Sequence, residues 1–243
     1  MSNYFRDFPR VFYAFGDESE RTYVQDISIF ADIVDQVKDA TAFYQDYYIQ
    51  ENERPDQVSF KLYDNPNYHW TITLMNDKLR ESGWPLSNSD IIAKTQKDHP
   101  YTTITTRTTL YDRFKVGQTI SGNVSGATAT IDHRHLDLGQ LVIKNVVGTF
   151  VNGELVSSIN ASGVTETITI QSTGPEYLSA SYYIDGDGVI TDIDPTVGPG
   201  ALLTEVTYLD RYIAQNEELK QIRVIKPTVI QQIVTAQKES INL

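Results

Sequence analysis

Two stretches of this chain are copies of one another, and that duplication restricts its fold more than any other feature. "FKVGQTISGNVSGATATI" (residues 114–131) and "FVNGELVSSINASGVTETI" (residues 150–168) share F-x-x-G-[QE]-x-[IV]-S followed by S-G-x-T-x-T-I. The offset between the copies is 36 residues at the start and 37 at the end, so the second has gained one residue between its two motifs. Each copy reads as a hairpin, and a single hairpin cannot bury its apolar face alone. Two are therefore expected to pair as pseudo-symmetric halves of a small β-barrel or sandwich. The preceding "TTITTRTTLY" is rich in β-branched residues and has no helix signal. Strands are expected near residues 118–124, 127–133, 140–145, 154–159 and 166–171, within an all-β module spanning residues 103–174.

The flanks are different in kind. Residues 1–23 form an aromatic, irregular arm with Tyr4, Phe5, Phe8, Phe12, Tyr13 and Phe15, broken by Pro9 and closed by Gly16. Such an arm either packs over its own core or docks on a neighbouring subunit. From Val24, the positions Ile27, Phe30, Ala31, Val34 and Val37 have amphipathic helical spacing, ending near Thr41. "AFYQDYYIQ" then reads as a strand. Pro55 and Pro66 each sit at the first position of a short helix, and the Asn65 side chain is expected to cap the second. The pairs Val58 with Leu62 and Trp70 with Leu74 lie one turn apart and supply the buried stripes. A further short helix starts near Ser89, completing an α+β module over residues 24–102. Beyond the β module, "SYYIDGDGVITDIDPTVGPG" makes residues 175–203 a turn-rich linker or long hairpin. A helix on Val206, Leu209, Tyr212, Ile213, Asn216 and Leu219, a strand "QIRVIKP" and a last helix opened by Pro227 make up residues 204–243. The fold class is α+β with an inserted all-β module.

Composition narrows the function. With 20 Lys and Arg against 32 Asp and Glu, the formal charge is −12, and no basic patch is segregated from the rest, so nucleic acid is a poor partner. No apolar run approaches membrane-spanning length, and the charged "MSNYFRDFPR" is no signal peptide. The absence of cysteine removes disulfides, thiolate metal sites and thiol nucleophiles. Fifteen tyrosines suit either a carbohydrate platform or a protein interface.

Catalytic patterns are missing. His133 and His135 in "DHRH" share a strand face, but without a third ligand nearby they read as a surface pair. "DGDG" with Asp185, Asp187, Asp192 and Asp194 has Tyr183 where a calcium loop needs its first carboxylate and lacks a closing Glu, so it reads as a tight turn. No serine sits in a G-x-S-x-G elbow, the glycines suit turns rather than a dinucleotide fingerprint, and His69 beside Trp70 is a rim or core residue. The expectation is no enzyme, no cofactor and no metal.

The stretch "YYIQENERPDQVSFKLYDNPNYHWTITLMND" resembles the signature of a baseplate wedge family of contractile-tailed bacteriophages, known as protein 53. The resemblance rests on Tyr48, the helix start at Arg54 and Pro55, the Tyr63, Asn65, Pro66 step, Trp70, the stop at Asn76 and Asp77, and Trp84 after Gly83. "NEELKQIRVIKPTVIQQIV" is similar to the family's ending and brings in Asn216, Glu217, Arg223 and Lys226 as candidate interface residues beside the aromatic arm. The resemblance covers roughly residues 1–100 and 200–243, and the S-G-A-T-A repeat between them resembles segments in other tail proteins of marine phages. The family implies a LysM-like β-α-α-β core used as structure, with Trp70 as a core anchor between the helices. It implies a late virion protein that is assembled in the host cytoplasm and located in the tail baseplate. Its partners would be other wedge proteins, neighbouring wedges and a lysozyme-like sheath-initiating subunit. The alternative is a module binding peptidoglycan, a polymer of N-acetylglucosamine, as LysM modules do elsewhere.

Overall fold

The computed structural model describes residues 8–14, 16, 20–26 and 35–241. In chain order the elements are β1 (Arg10–Tyr13), β2 (Thr22–Gln25), α1 (Asp35–Asp39), β3 (Tyr44–Tyr48), α2 (Pro55–Tyr63), α3 (His69–Met75), α4 (Asp77–Ser82), α5 (Asn88–Asp98) and β4 (Thr102–Thr106). They continue as β5 (Thr119–Gly122), β6 (Thr128–His135), β7 (Gln140–Val147), β8 (Leu155–Ile159), β9 (Thr165–Pro175), β10 (Ala180–Ile184) and β11 (Ile190–Thr191). The last are β12 (Thr204–Thr207), α6 (Tyr208–Lys220), β13 (Gln221–Ile225) and α7 (Ile230–Ile241). Two compact units result: Met1–Ser87 with Gln215–Leu243, and Asn88–Ala214. The second begins earlier and ends later than the β module read from the sequence, because α5 and a small additional sheet group with it.

In the second unit, strict alternation builds a closed barrel of order β4-β7-β6-β5-β8-β9. In β9, Glu166, Ile168 and Ile170 are buried while Thr165, Thr167 and Thr169 are exposed. This is the period-2 pattern of a strand with one face on a core. Ile104, Phe114, Ile120, Leu141, Ile143 and Val156 fill the interior with no exposed surface. Between the two sandwich-or-barrel options, the barrel is the observed one. The duplication has a geometric counterpart. β5 and β8 pair antiparallel with Ser121 directly opposite Ser157, its own equivalent in the other copy, and their hydroxyl oxygens are 3.2 Å apart. A local pseudo-twofold axis therefore passes between these serines, with the β5–β6 and β8–β9 hairpins on either side.

The symmetry stops at the outer strands. A 3₁₀ turn (Leu136–Leu138) leads from β6 into β7, which stays in the barrel beside β6. The corresponding turn (Glu176–Leu178) leads from β9 into β10, which joins a separate sheet of order β11-β10-β12, and β4 takes the place beside β9. Within the expected linker or long hairpin, β10 and β11 pair antiparallel. Its "DGDG" is a tight turn, as expected: the Asp185 carboxylate accepts the Asp187 and Val189 N–H groups, both at 2.9 Å. Val206 lies in β12 rather than in the following helix, which starts where Thr207 and Asp210 cap one another reciprocally.

In the first unit, β3 pairs antiparallel with β13, Tyr48 opposite Gln221 and Tyr44 opposite Ile225. Side chains of β13 serve two cores. Ile222 and Val224 pack with Ile49, Val58, Ile72 and Leu79, whereas Ile225 packs with Leu74, Met75, Ile230 and Val234. The pairs foreseen one helical turn apart stay together, Val58 with Leu62 in the former core and Trp70 with Leu74 in the latter. Trp70 is half-buried and packs in one cluster with Leu74, Met75, Ile225, Ile230 and Val234, with Tyr63 of α2 also against it. In the described part of the arm, Arg10–Tyr13 pairs antiparallel with Thr22–Gln25, so Val24 is in a strand and not at a helix start. Phe8 is buried, while Phe12 and Tyr13 are exposed, with the Phe12 and Tyr23 rings 4.9 Å apart. Tyr4, Phe5, Phe15 and residues 27–34 of the helix expected from Val24 lie outside the described residues; α1 is the helical part described.

Candidate functional site

The motif residues converge on the edge of the two-stranded sheet. Lys226 N–H bonds to Phe43 C=O, and Ile49 N–H bonds to Lys220 C=O. This sets the ladder so that Gln221, Arg223 and Ile225 turn their backbone groups away from β3. That outer edge is sealed by side chains. The Asn76 amide accepts the Arg223 N–H at 2.9 Å and donates to the Arg223 C=O at 2.7 Å, replacing a neighbouring strand at that residue. The Tyr63 hydroxyl donates to the Ile225 C=O at 2.9 Å, and burial pushes its pKa upward. Asn76 also donates to Ile72 C=O at 2.8 Å, fixing its orientation from the end of α3.

Asn216 repeats the device. Its amide accepts from Leu86 N–H at 2.8 Å and donates to Leu86 C=O at 3.1 Å, and the side chain is buried. It is an internal fastener, not a residue open to a partner. Asn65 caps the turn at Pro66 by accepting from Asn67 N–H at 3.0 Å, as its position in the sequence implied. Pro55 opens α2, and the Gln57 side chain accepts the Arg54 N–H at 2.9 Å. The Trp84 indole donates to the Glu53 C=O at 2.7 Å, and His69 bonds the Pro66 C=O at 2.9 Å.

A polar groove of about 720 Å³ lies alongside, lined by Asp46, Tyr48, Asn76, Asp77, Lys78 and Arg223 among others. The Tyr48 hydroxyl donates to Glu217, a bond that raises the tyrosine pKa. Lys220, 2.5 Å from Glu217, pulls that carboxyl below its usual range, with the tyrosine assisting. Asp77 pairs with Arg80 at 2.6 Å and with Lys38 at 3.5 Å. Arg223 lies over the Tyr44 ring at 4.7 Å and donates to Lys38 C=O at 3.3 Å, and Lys226 donates to Thr41 C=O at 2.7 Å. Sequence reasoning missed Glu53, which gathers Tyr47, Lys61 and the Gln50 N–H. Burial alone would raise its pKa, but these bonds outweigh it and the carboxyl is lowered.

In the second unit three of the four histidines gather. His99 Nδ1 is 3.1 Å and His133 Nε2 3.7 Å from the same oxygen of buried Glu176, and His135 Nε2 meets the Tyr208 hydroxyl at 3.1 Å. Among the described residues, no three His, Cys, Asp or Glu side chains are arranged to hold a metal ion. The groups assembled around the groove are fasteners and paired charges, an arrangement suited to holding and presenting a surface. Nor is any described helix long and apolar enough to cross a membrane.

Residues 5–103 match the family model of Base plate wedge protein 53. No curated protein matches the chain. The family is the one that the motif between Tyr48 and Asp77 resembles. The matched residues include Tyr63 and Asn76, while the strand they fasten, β13, lies outside the match.

Proposed function

We propose that this chain is a structural subunit of a contractile-tail baseplate wedge, which joins or clamps neighbouring wedges and contacts inner wedge proteins and the sheath-initiating subunit. The family match over residues 5–103 carries the reading. The fastening of β13 by Tyr63 and Asn76 extends it to the C-terminal segment, because the matched part seals its own sheet with that strand. The order β3, α2, α3, β13 agrees with a LysM-like β-α-α-β core whose second strand is supplied after the inserted barrel. The exposed Phe12 and Tyr13 of the β1–β2 hairpin, with the charged groove, offer surfaces for neighbours.

The test is to locate the chain in virions with a tag and gold label viewed by electron microscopy, and to delete its gene. Label at the baseplate, and loss of complete baseplates on deletion, is the expected result. Label elsewhere in the particle, or normal tails without the gene, overturns the reading.

A further inference from the structure

Among the described residues, the two edges of the two-stranded sheet are finished differently. Asn76 and Tyr63 occupy the outward N–H and C=O of Arg223 and the outward C=O of Ile225 on β13. On β3 the same ladder turns Tyr44, Asp46 and Tyr48 outward. The Tyr48 C=O accepts from Gln50 at 3.1 Å, but the N–H and C=O groups of Tyr44 and Asp46 have no partner among the described residues. An unpaired strand edge is a template for another strand, and proteins ordinarily cover, charge or kink such edges. Among the described residues, side chains cover backbone groups on the β13 side.

The charges say what would fit. Asp46 is exposed, sits in the middle of the open edge and has no cation within ion-pair distance among the described residues. Arg223, directly across the ladder from it, is turned to the Tyr44 ring and the Lys38 carbonyl. Tyr44 and Tyr48 flank Asp46 on the same face. We infer that β3 accepts an extended segment of a different polypeptide, with Lys or Arg opposite Asp46 and β-branched or aromatic residues two positions to either side. The backbone would supply the binding and the alternate side chains the selectivity. A second copy of this chain paired about a twofold axis at Asp46 would set two carboxylates opposite one another, which is unfavourable. The occupant is therefore another protein, and the inference rests on the reading of the chain as a wedge subunit.

Amide hydrogen exchange on the free full-length chain and on assembled baseplates tests it. The Tyr44 and Asp46 amides should exchange freely in the isolated chain and slow by about 100-fold in the baseplate, with Arg223 slow in both. Fast exchange of Tyr44 and Asp46 in the baseplate, or slow exchange in the free chain, overturns the inference while leaving the wedge reading intact. Absence of the chain from baseplates overturns the wedge reading and this inference with it. Asp46→Asn, which removes the charge without setting a cation opposite Arg223, should cut incorporation into baseplates about threefold at unchanged melting temperature, since an opposite-charge pair across the strands is lost. Unchanged incorporation of that folded variant also counts against the proposed occupant.

Discussion

Every strand of the barrel has two neighbours, whereas among the described residues β3 and β13 have only each other. The barrel satisfies its backbone by closure and keeps Glu154 and Glu166 inside by local bonds. The Glu154 carboxylate takes the Val124, Ser125 and Val151 N–H groups at 3.1, 3.0 and 2.7 Å, and Glu166 takes the Phe114 N–H at 2.8 Å. Burial would raise both carboxyls, yet these bonds hold them below the usual range. The two-stranded sheet instead borrows side chains from distant helices to finish one edge. Self-contained closure suits a part that needs nothing further; a borrowed and incomplete edge suits a part that meets others.

The contrast can be broken in four ways. Phe114→Ala empties a fully buried position in the barrel and should cost about 4 kcal/mol. Hydrogen exchange should show barrel amides losing protection while Ile222 and Val224 keep theirs; joint collapse would mean that the two regions are not independent. Asn76→Ala strands the Arg223 N–H and C=O, at a cost of about 2 kcal/mol. Chemical denaturation should register it, and the Arg223 amide should then exchange as fast as an open edge. Tyr63→Phe removes the hydroxyl that bonds the Ile225 C=O and meets the Thr71 side chain but keeps the ring, so about 1 kcal/mol is expected. A loss equal to that of Asn76→Ala would show the hydroxyl to matter as much as the amide.

The smallest effect is a pH dependence confined to the barrel unit. Burial lowers the pKa of His135, helped by His133, with Glu176 opposing. The unfolded chain therefore takes up a proton at His135 as pH falls through about 6.5, before the folded chain does, so stability declines from there down to the folded value. Melting curves between pH 7.5 and 5.5 should show the decline, and His135→Gln should flatten it.

The barrel strands were legible because repeat, alternation and turn glycines all act within a few residues of one another. Its closure was not, since nothing local distinguishes β4 from β10 as the neighbour of β9. Asn65 and Pro66 announced their roles for the same local reason. Asn76 and Tyr63 did not, because their partners lie 147 and 162 residues away. Val24 misled because its apolar spacing suits a helix, while pairing with Val11 decides for a strand.

That separation also has a consequence in time. During synthesis Asn76 emerges 147 residues before Arg223, a lag of roughly 7–30 s at ordinary translation rates. The barrel, encoded between them, is complete before β13 exists. For that interval β3 has no strand beside it, so the first unit is among the last parts of the chain to become whole. A nascent chain cut short between Pro175 and Gln221 carries every strand of the barrel but lacks β13.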